Sequence, residues 1–269
     1  MDLVADVLTE VSATAIEPLY TKVAEREVFE KTAGELVTVA DLEAERLLTG
    51  RLQDLLPGVP VVGEEACAAD PDRLALLETN RCWVVDPLDG TANFVAGSPD
   101  WAVMVSLVDP TAALAAWIWQ PLRNRMYRAE RGAGTTVNGV RTTRLPPDPG
   151  DPLKGVVMTK FLDDATRNHV AEHSSSVGSV TGGSGAAGIE YPAIVDGELD
   201  FISFWRTRPW DHAGGALLVE EAGGHVRQLD HEPYVASERR PGLLVAASST
   251  TWDVARGLLG ANPTGVATD

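Results

Sequence analysis

The sequence predicts a layered fold of the α/β or α+β class, arranged as a sandwich of strands and helices. Three observations lead to this prediction. Apolar residues at helical spacing predict helices, and short apolar runs predict strands that alternate with these helices in both halves of the chain. A proline-rich segment lies between the two halves. At 269 residues, the chain can form one large domain or two lobes that share an interface.

The first half begins with a predicted amphipathic helix, whose apolar positions are Leu3, Val7, Val11, Ala15 and Leu19. A second helix is predicted over residues 41–56, and Pro57 with Gly58 ends it. Short apolar runs then predict strands: "VPVVGEE" (59–65), "CWVVD" (82–86), "AVMVSLVD" (102–109), "LAAWIWQP" (114–121) and "RMYRAE" (125–130). The segment "RGAGTTVNG" that follows is predicted to turn.

The segment "LPPDPGDP" (145–152) contains four prolines in eight residues, so it is the predicted boundary between two lobes, 1–146 and 152–269. Beyond it, the predicted strands are "GVVMT" (155–159), "LDFISF" (199–204), "HVRQL" (225–229) and "LLVAASS" (243–249). Helices are predicted near 163–174, 185–195, 211–222 and 251–259.

The charge balance limits the class of partner. Lys and Arg number 22 against 39 Asp and Glu, a net charge of −17, and this argues against a nucleic acid partner. A small phosphorylated substrate remains compatible if bound metal reverses the local sign. The acidic N-terminus, the absence of an apolar run of about 18 residues and the two cysteines predict a cytoplasmic protein with no membrane partner.

Acidic residues collect at the ends of predicted elements. Glu64 and Asp86 each close a strand, Asp89 follows one turn later, and Asp211 lies at or near a helix start. Because such positions converge on one crevice in α/β folds, these carboxylates are candidate ligands for divalent metal. Singly, each of them is an ordinary turn, strand-end or helix-cap residue. Together they predict a metal site, and the metals offset the repulsion between Asp86 and Asp89.

The "DGT" triplet is predicted to form the phosphate-binding part of the site. Gly90 allows close approach of the backbone to a ligand, and the free N–H groups of a following helix favour phosphate. The Thr91 hydroxyl can orient a water. Two metals about 3.5–4 Å apart would activate that water and stabilise the leaving oxygen. The predicted chemistry is metal-assisted hydrolysis of a phosphate monoester.

The motifs "VVGEE", "WVVDPLDGTANF" and "WDHAGGALLVEEAGG", in this order, resemble the inositol monophosphatase family of Mg²⁺-dependent, lithium-sensitive phosphatases. "ELVTVADLEAE" and "SGAAGIEY" extend the resemblance to nearly the whole chain. It implies the α/β/α/β/α sandwich of the inositol monophosphatase and fructose bisphosphatase type, and a homodimer.

The resemblance also implies roles for individual residues. The metal ligands would be Glu64, Asp86, the Leu88 carbonyl, Asp89 and Asp211, which hold two to three Mg²⁺ ions for which Mn²⁺ can substitute. Asp41 and Thr91 would be catalytic, as a hydrogen-bonded pair that positions the attacking water. The implied substrate-binding residues on the phosphate side are Glu64, Gly90, Thr91, Asn93, Gly185 and Ala186.

The chain departs from the family pattern in the substrate pocket. Inositol-specific members carry a glutamate before the "WD" aspartate, and here residues 203–206 contain no carboxylate. "FISFWRTRPWD" offers Phe204 and Trp205 for stacking, and Arg206 and Arg208 for a second anionic group, unless these side chains serve the core or the surface. We therefore expect inositol 1-phosphate not to be the best substrate.

Alternatives stay open within and outside the family. The substrate can be an inositol phosphate, a sugar bisphosphate, histidinol phosphate, a nucleotide phosphate or the phosphate of a specialised metabolite. A catalytically silent metal-binding homologue is the non-enzyme alternative. A haloacid-dehalogenase-type phosphatase is rejected, because Pro87 stands where its D-x-D-G-T loop has the nucleophile.

Overall fold

The computed structural model describes residues 2–22, 28–32, 35–261 and 263–265. The α-helices in these ranges are α1 (Leu3–Val11), α2 (Val39–Leu55), α3 (Glu64–Ala69), α4 (Leu76–Thr79), α5 (Thr91–Val95), α6 (Asp164–Val177), α7 (Ala187–Val195), α8 (Pro209–Glu221) and α9 (Ser249–Leu258). After α1, one π-helical and one 3₁₀ turn extend the helical path to Leu19, which agrees with the predicted N-terminal helix.

The strands are β1 (Val28–Thr32), β2 (Glu35–Thr38), β3 (Val61–Gly63), β4 (Cys82–Asp89), β5 (Ala102–Asp109), β6 (Ala112–Gln120), β7 (Arg125–Glu130), β8 (Gly134–Val137), β9 (Val140–Thr142), β10 (Leu153–Val157), β11 (Gly178–Thr181), β12 (Phe201–Phe204), β13 (His225–Gln228) and β14 (Leu243–Ala246). β1 and β2 form an antiparallel pair. A seven-stranded sheet runs from β3 to β9 in chain order, and a five-stranded sheet has the order β11-β10-β12-β14-β13.

Three apolar clusters arrange these elements in five layers. The first cluster joins α1 and α2 to one face of the seven-stranded sheet. The second fills the space between the two sheets with side chains of α7 and α8. The third packs α6 and α9 on the outer face of the five-stranded sheet. The prediction of a layered α/β/α/β/α sandwich is therefore confirmed.

Helix α2 shows how local sequence starts an element that later carries the site. Thr38 is its N-cap, and the Asp41 carboxylate accepts a hydrogen bond from the Thr38 backbone N–H at 2.7 Å. This reciprocal capping satisfies donors that would otherwise have no partner at the helix start. Ala40, Ala44 and Leu48 then lie on the buried face against the sheet.

Several strands were not predicted from the sequence. The paired strands β1 and β2 and strand β11 are polar or short, β8 lies where a turn was predicted, and β9 follows directly after that segment. Thr135 and Thr136 weaken the apolar alternation of β8, yet Asn138 and Gly139 both have positive φ, as a tight hairpin turn requires. The Asn138-Gly139 pair was the feature of the sequence from which the turn between β8 and β9 could have been predicted.

The proline-rich segment separates the two large sheets, because β9 ends at Thr142 and β10 begins at Leu153. Side chains from both sheets nevertheless share the cluster that contains α7 and α8. The division into lobes 1–146 and 152–269 stays a prediction. In the described ranges, no helix combines the length and the apolar character that crossing a membrane requires.

Candidate active site

One cavity of about 360 Å³ brings the predicted acidic residues together. Glu64, Asp86, Asp89 and Asp211 all line it. Carboxylate oxygens of Asp86, Asp89 and Asp211 lie within 4.8 Å of one another. Asp86 and Asp89 are buried, and Asp211 is partly buried. Three carboxylates at this spacing form a donor set of the kind that hard divalent cations bind.

The two aspartates of "DPLD" share one side of the sheet because strand β4 is irregular. In a regular strand, residues three positions apart point to opposite faces. Asp86 pairs with Met104 and Asp89 with Ala102, so β4 contains one more residue than β5 between these two pairs. This is a β-bulge, and it turns the second carboxylate towards the first.

The Asp89 carboxylate accepts a hydrogen bond from a residue that is distant in the sequence. The backbone N–H of Gly188, near the start of α7, donates to Asp89 Oδ2 at 2.6 Å. Burial raises the pKa of Asp89 to about 7, although hydrogen bonds from Gly188 and Ala187 oppose the rise and the charge of Glu64 adds to it. A carboxylate buried in this way is costly to ionise unless a cation is nearby.

Asp211 is the third residue of α8, and its carboxyl group has a similar electrostatic environment. Burial raises its pKa well above the ordinary value, and the negative charges of Glu64 and Asp89 add to the rise. The positive charges of Arg206 and Arg208 oppose it. Glu64 and Asp89 therefore destabilise the ionised form of Asp211, as closely spaced carboxylates do.

Asp41 and Thr91 form a hydrogen-bonded pair beside the acids. The Thr91 hydroxyl lies 3.0 Å from Asp41 Oδ1 and 3.0 Å from the Leu88 carbonyl oxygen, and its single hydrogen can serve one of them at a time. Burial raises the pKa of Asp41 to about 6, while hydrogen bonds from Thr38 and Thr91 oppose the rise. A carboxyl group with this pKa can exchange a proton near neutral pH.

Glu64 and Glu65 were predicted to end a strand. In the structure Glu64 is instead the first residue of α3. Strand β3 ends at Gly63 because the next turn is capped by a side chain of α2. The Glu45 carboxylate accepts hydrogen bonds from the backbone N–H groups of Glu65 and Ala66, each at 2.8 Å. Glu45 thereby stabilises the turn that carries Glu64.

Gly63 allows this capping because it has no side chain. A Cβ atom at Gly63 would lie 2.3 Å from Glu45 Oε2, although the Gly63 backbone is extended and would suit other residues. Asp41 and Glu45 are one helical turn apart on α2, so a single helix contacts both the Thr91 hydroxyl and the start of α3.

Gly90 is required for two reasons. Its φ is +85°, a left-handed conformation that favours glycine, and a Cβ there would lie 2.8 Å from the Asp100 carbonyl oxygen. The Asn93 amide donates to the Asp100 and Ser184 carbonyl oxygens at 2.8 and 2.9 Å. Asn93 thus lines the cavity and also joins the loop after α5 to the loop before α7.

The remaining predicted substrate-binding residues differ in position. Gly185 and Arg206 line the cavity, whereas Ala186 is buried and Arg208 is not among the lining residues. The Arg208 guanidinium lies 5.6 Å from the centre of the Trp210 ring. The substrate-binding roles of Gly185, Ala186, Arg206 and Arg208 stay predictions.

Two rings on the cavity wall, Phe204 and the imidazole of His212, have structural partners. The ring of Phe204, which ends β12, stacks on Tyr191 at 5.3 Å and contacts His212 at 4.6 Å. Since the Arg206 carbonyl can only accept, His212 Nε2 donates to it, and Nδ1 accepts from the Tyr191 hydroxyl. Burial lowers the pKa of His212 to about 3, so the ring is neutral, and an oxygen-ligated metal site does not need it.

Sequence reasoning missed three residues at this site. Glu45 was detectable in principle, because it lies one turn after Asp41 in the predicted helix. Lys160 and Phe161 line the cavity from a 3₁₀ turn after β10, and the end of a predicted strand was their only signal.

Comparison with known proteins agrees with the fold and the motifs. The model of the inositol monophosphatase family matches residues 1–261. The chain belongs to this family. It is a phosphatase, as its motifs predict.

Relatives in the family carry different names. An inositol-1-monophosphatase of Bacillus subtilis is 28% identical over 209 residues, 76% of each chain. The Nus factor SuhB of Pseudomonas aeruginosa is 33% identical over 209 residues, 74% of each chain. The crystal structure of an IMPase/NADP phosphatase complexed with NADP and Ca²⁺ matches with a TM-score of 0.83 and 18% identity, covering 98% of this chain and 96% of that chain. At this identity it supports the fold alone.

Proposed function

We propose that this phosphatase hydrolyses a small phosphate monoester in a reaction that depends on Mg²⁺. The observation that carries the proposal is the group of Asp86, Asp89 and Asp211, whose carboxylate oxygens lie within 4.8 Å of one another beside the Asp41–Thr91 pair. Membership of the inositol monophosphatase family supports it.

The residues present fit a divalent cation. All donors are oxygens, and burial raises the pKa values of Asp89 and Asp211, so the carboxylates are unfavourable as anions until a positive charge joins them. Glu64, Asp86, the Leu88 carbonyl and Asp89 would hold the first ions, and Asp211 would join Asp86 and Asp89 at another. We propose two to three Mg²⁺ ions, for which Mn²⁺ can substitute.

When bound, such ions would lower the pKa of a water and stabilise charge on the phosphoryl oxygens. The residues of the chain then orient the reactants. The Thr91 hydroxyl donates to Asp41, so its oxygen can accept a hydrogen bond from the attacking water. Asp41, with a pKa of about 6, accepts a proton near neutral pH through this pair.

The phosphate would lie against the turn formed by Gly90 and Thr91. The first N–H groups of α5 have no acceptor within the helix, and Gly90 precedes them as the N-cap residue in a left-handed conformation. Asn93 supports this turn through its two backbone contacts. We propose that the enzyme acts as a homodimer in the cytoplasm on a small phosphorylated metabolite; the family resemblance supports the dimer, and the composition supports the location.

The test is release of inorganic phosphate from p-nitrophenyl phosphate and from a panel of natural monoesters, with MgCl₂ and with excess EDTA. We expect release only with metal, and recovery when Mg²⁺ or Mn²⁺ is added back. Full activity in EDTA would contradict the metal assignment. Binding of Mg²⁺ without release from any ester would instead favour the catalytically silent homologue.

A further inference from the structure

A buried carboxylate of α7 contacts the turn that precedes this helix. Glu190 is the fourth residue of α7 and is 3% exposed. Its Oε1 atom accepts two hydrogen bonds from Ser184, one from the hydroxyl at 2.8 Å and one from the backbone N–H. In the described ranges, no Lys or Arg side chain forms an ion pair with Glu190. A buried acid is costly unless it is paired, so the two hydrogen bonds from Ser184 are what offset its burial.

The turn that Glu190 holds contains two glycines in left-handed conformations. Gly183 has a φ of +77° and Gly185 a φ of +81°, on either side of Ser184. Because glycine has the most backbone freedom to lose, such a stretch has little preference of its own for the conformation that it adopts. A Cβ atom at Gly183 would lie 2.6 Å from Glu190 Oε1, so the turn packs directly on the carboxylate.

The same turn forms part of the cavity wall. Ser184 and Gly185 line the cavity that contains the acids, whereas Glu190 is not among the lining residues. In the part of the chain that the structure describes, the backbone of Gly185 forms no hydrogen bond, and a Cβ added there would have no other atom within 4 Å. Because backbone polar groups require partners, the N–H and carbonyl groups of Gly185 are available to a bound molecule or to water.

Ser184 is also held from the phosphate side of the cavity. Its carbonyl oxygen accepts from the Asn93 amide at 2.9 Å, and Asn93 lies in α5, directly after Gly90 and Thr91. Glu190 supplies the acceptor for the other two polar groups of Ser184. The turn is therefore fixed between the buried start of α7 and the proposed phosphate-binding turn. If Glu190 only stabilised the start of its helix, its loss would affect stability alone.

We infer that Glu190 is a positioning residue for the substrate. By accepting both hydrogen bonds from Ser184, it fixes the turn 183–186 so that the Gly185 backbone binds the alcohol part of the ester while the phosphate lies at Gly90 and Thr91. This inference rests on the proposed phosphatase function of the same cavity. Peptide N–H and carbonyl groups pair with hydroxyl groups, so the alcohol that uses this turn is a hydroxyl-bearing one, such as a polyol, a sugar or a nucleoside.

The experiment compares the reaction of an ester with the binding of product phosphate, in MgCl₂. The probes are inorganic phosphate and, of myo-inositol 1-phosphate, adenosine 2′-monophosphate and fructose 1,6-bisphosphate, the ester that the unmodified enzyme hydrolyses fastest. In Glu190→Leu, kcat/KM for that ester should fall about tenfold or more, because a displacement of about 1 Å is enough to lower a rate about 100-fold. The inhibition constant of inorganic phosphate should change by less than about threefold, because phosphate binds at Gly90 and Thr91.

Two further variants test the hydrogen bonds themselves. Glu190→Gln retains an oxygen that accepts from Ser184, so it should keep most of the kcat/KM that Glu190→Leu loses. Ser184→Ala removes the hydroxyl donor but not the backbone N–H, and it should lower kcat/KM by about threefold. In the Glu190→Leu background, Ser184→Ala should have almost no further effect, because the shared acceptor is already absent.

Asp200→Asn is the matched control. Asp200 is another buried acid that follows α7 in the chain, and it does not line the cavity. Its carboxylate accepts from the Lys154 backbone N–H at 2.8 Å and pairs with Arg144 at 2.6 Å. Asp200→Asn should lower the melting temperature and leave kcat/KM and the inhibition constant of phosphate unchanged. It therefore shows what the loss of a buried charge does to stability alone.

Each outcome separates this inference from the proposed function. If a folded Glu190→Leu has a lower melting temperature but an unchanged kcat/KM, Glu190 serves stability only and the inference is wrong. If kcat/KM and phosphate affinity fall equally, Glu190 acts on the phosphate or metal site, and the inference is also wrong. If Glu190→Leu does not fold, an unchanged kcat/KM in Ser184→Ala overturns the inference. If no ester is hydrolysed with Mg²⁺, the proposed function itself fails.

Discussion

The hydrogen bonds that Glu45 accepts at the start of α3, next to Glu64, lead to a quantitative prediction about the stability of the protein. In Glu45→Ala, the start of α3 loses acceptors for the N–H groups of Glu65 and Ala66, which are each 2.8 Å from the carboxylate. Hydrogen bonds to charged groups contribute about 1.5–3 kcal/mol each, and part of this is offset because a buried charge is removed as well. We expect the free energy of unfolding to fall by about 2–3 kcal/mol.

The companion variant is Gly63→Ala, whose Cβ would lie 2.3 Å from Glu45 Oε2 and 2.4 Å from its Cδ. Overpacking of this kind costs about 1–3 kcal/mol. In the Glu45→Ala background the three nearest atoms disappear, since all of them belong to Glu45. The cost of Gly63→Ala should therefore shrink by about 1–2 kcal/mol in the double variant.

Urea unfolding of the four proteins measures this coupling, and Gly50→Ala is the control. Gly50 lies in α2, and a Cβ added there would have no other atom within 4 Å, so alanine should stabilise the protein by about 0.5–1 kcal/mol in both backgrounds. If Gly63→Ala costs the same with and without Glu45, the close approach does not explain the glycine.

The same variants test the link to the metal site. If Glu45 positions Glu64, both single variants should raise the Mg²⁺ concentration needed for half-maximal activity by about 10-fold or more, as outer-shell changes at metal sites do. Loss of stability with an unchanged Mg²⁺ requirement would show that Glu45 supports only the fold.

Three further predictions concern the acids and the catalytic pair. Asp89→Asn and Asp211→Asn should each lower kcat/KM by more than about 100-fold with the fold intact by circular dichroism, because a direct ligand should matter more than an outer-shell partner; near-normal turnover would refute their role. Asp41→Asn and Thr91→Ala should each lower kcat by about 100-fold or more with little change in KM, and the double variant should lose little more, as for residues that act as a unit; additive losses in log kcat would count against a shared role. Because burial raises the pKa of Asp89 to about 7 above an ordinary value near 4, the metal-free folded state binds more protons than the unfolded state between these values, and its stability should fall as pH rises through them. Mg²⁺ competes with those protons, so it should raise the melting temperature more at about pH 8 than at about pH 5.5, and an equal increase at both would contradict this account.

Much of the fold was predictable because its core elements carry strong apolar patterns. Strands β5 and β7 have the predicted bounds, and α2 differs from its prediction by only a few residues. The missed elements are short or polar, as β8 with its two threonines shows. Glu64 lies in a helix and not in the predicted strand, because Glu45 from another helix caps the turn after β3. Local patterns do not contain such contacts.

The sequence by itself determined which residues are candidates for the chemistry. Asp86, Asp89, Asp211 and Thr91 are recognisable because acidic residues at element ends, followed by "DGT", are chemically unusual in a chain that is already acidic. Their roles stay predictions, but the donor type, oxygen, and the implied class of ion follow from residue identity alone.

Only the tertiary structure decided which of these groups meet. Asp86 and Asp89 face the same cavity because of one extra residue in β4, which reverses the direction that regular strand alternation would give. Lys160 and Arg206 share the ring of Phe161 because β10 and β12 are parallel neighbours. Strand pairing and register are set by packing between distant segments, and a linear pattern specifies the residues of a site without specifying the distances between them.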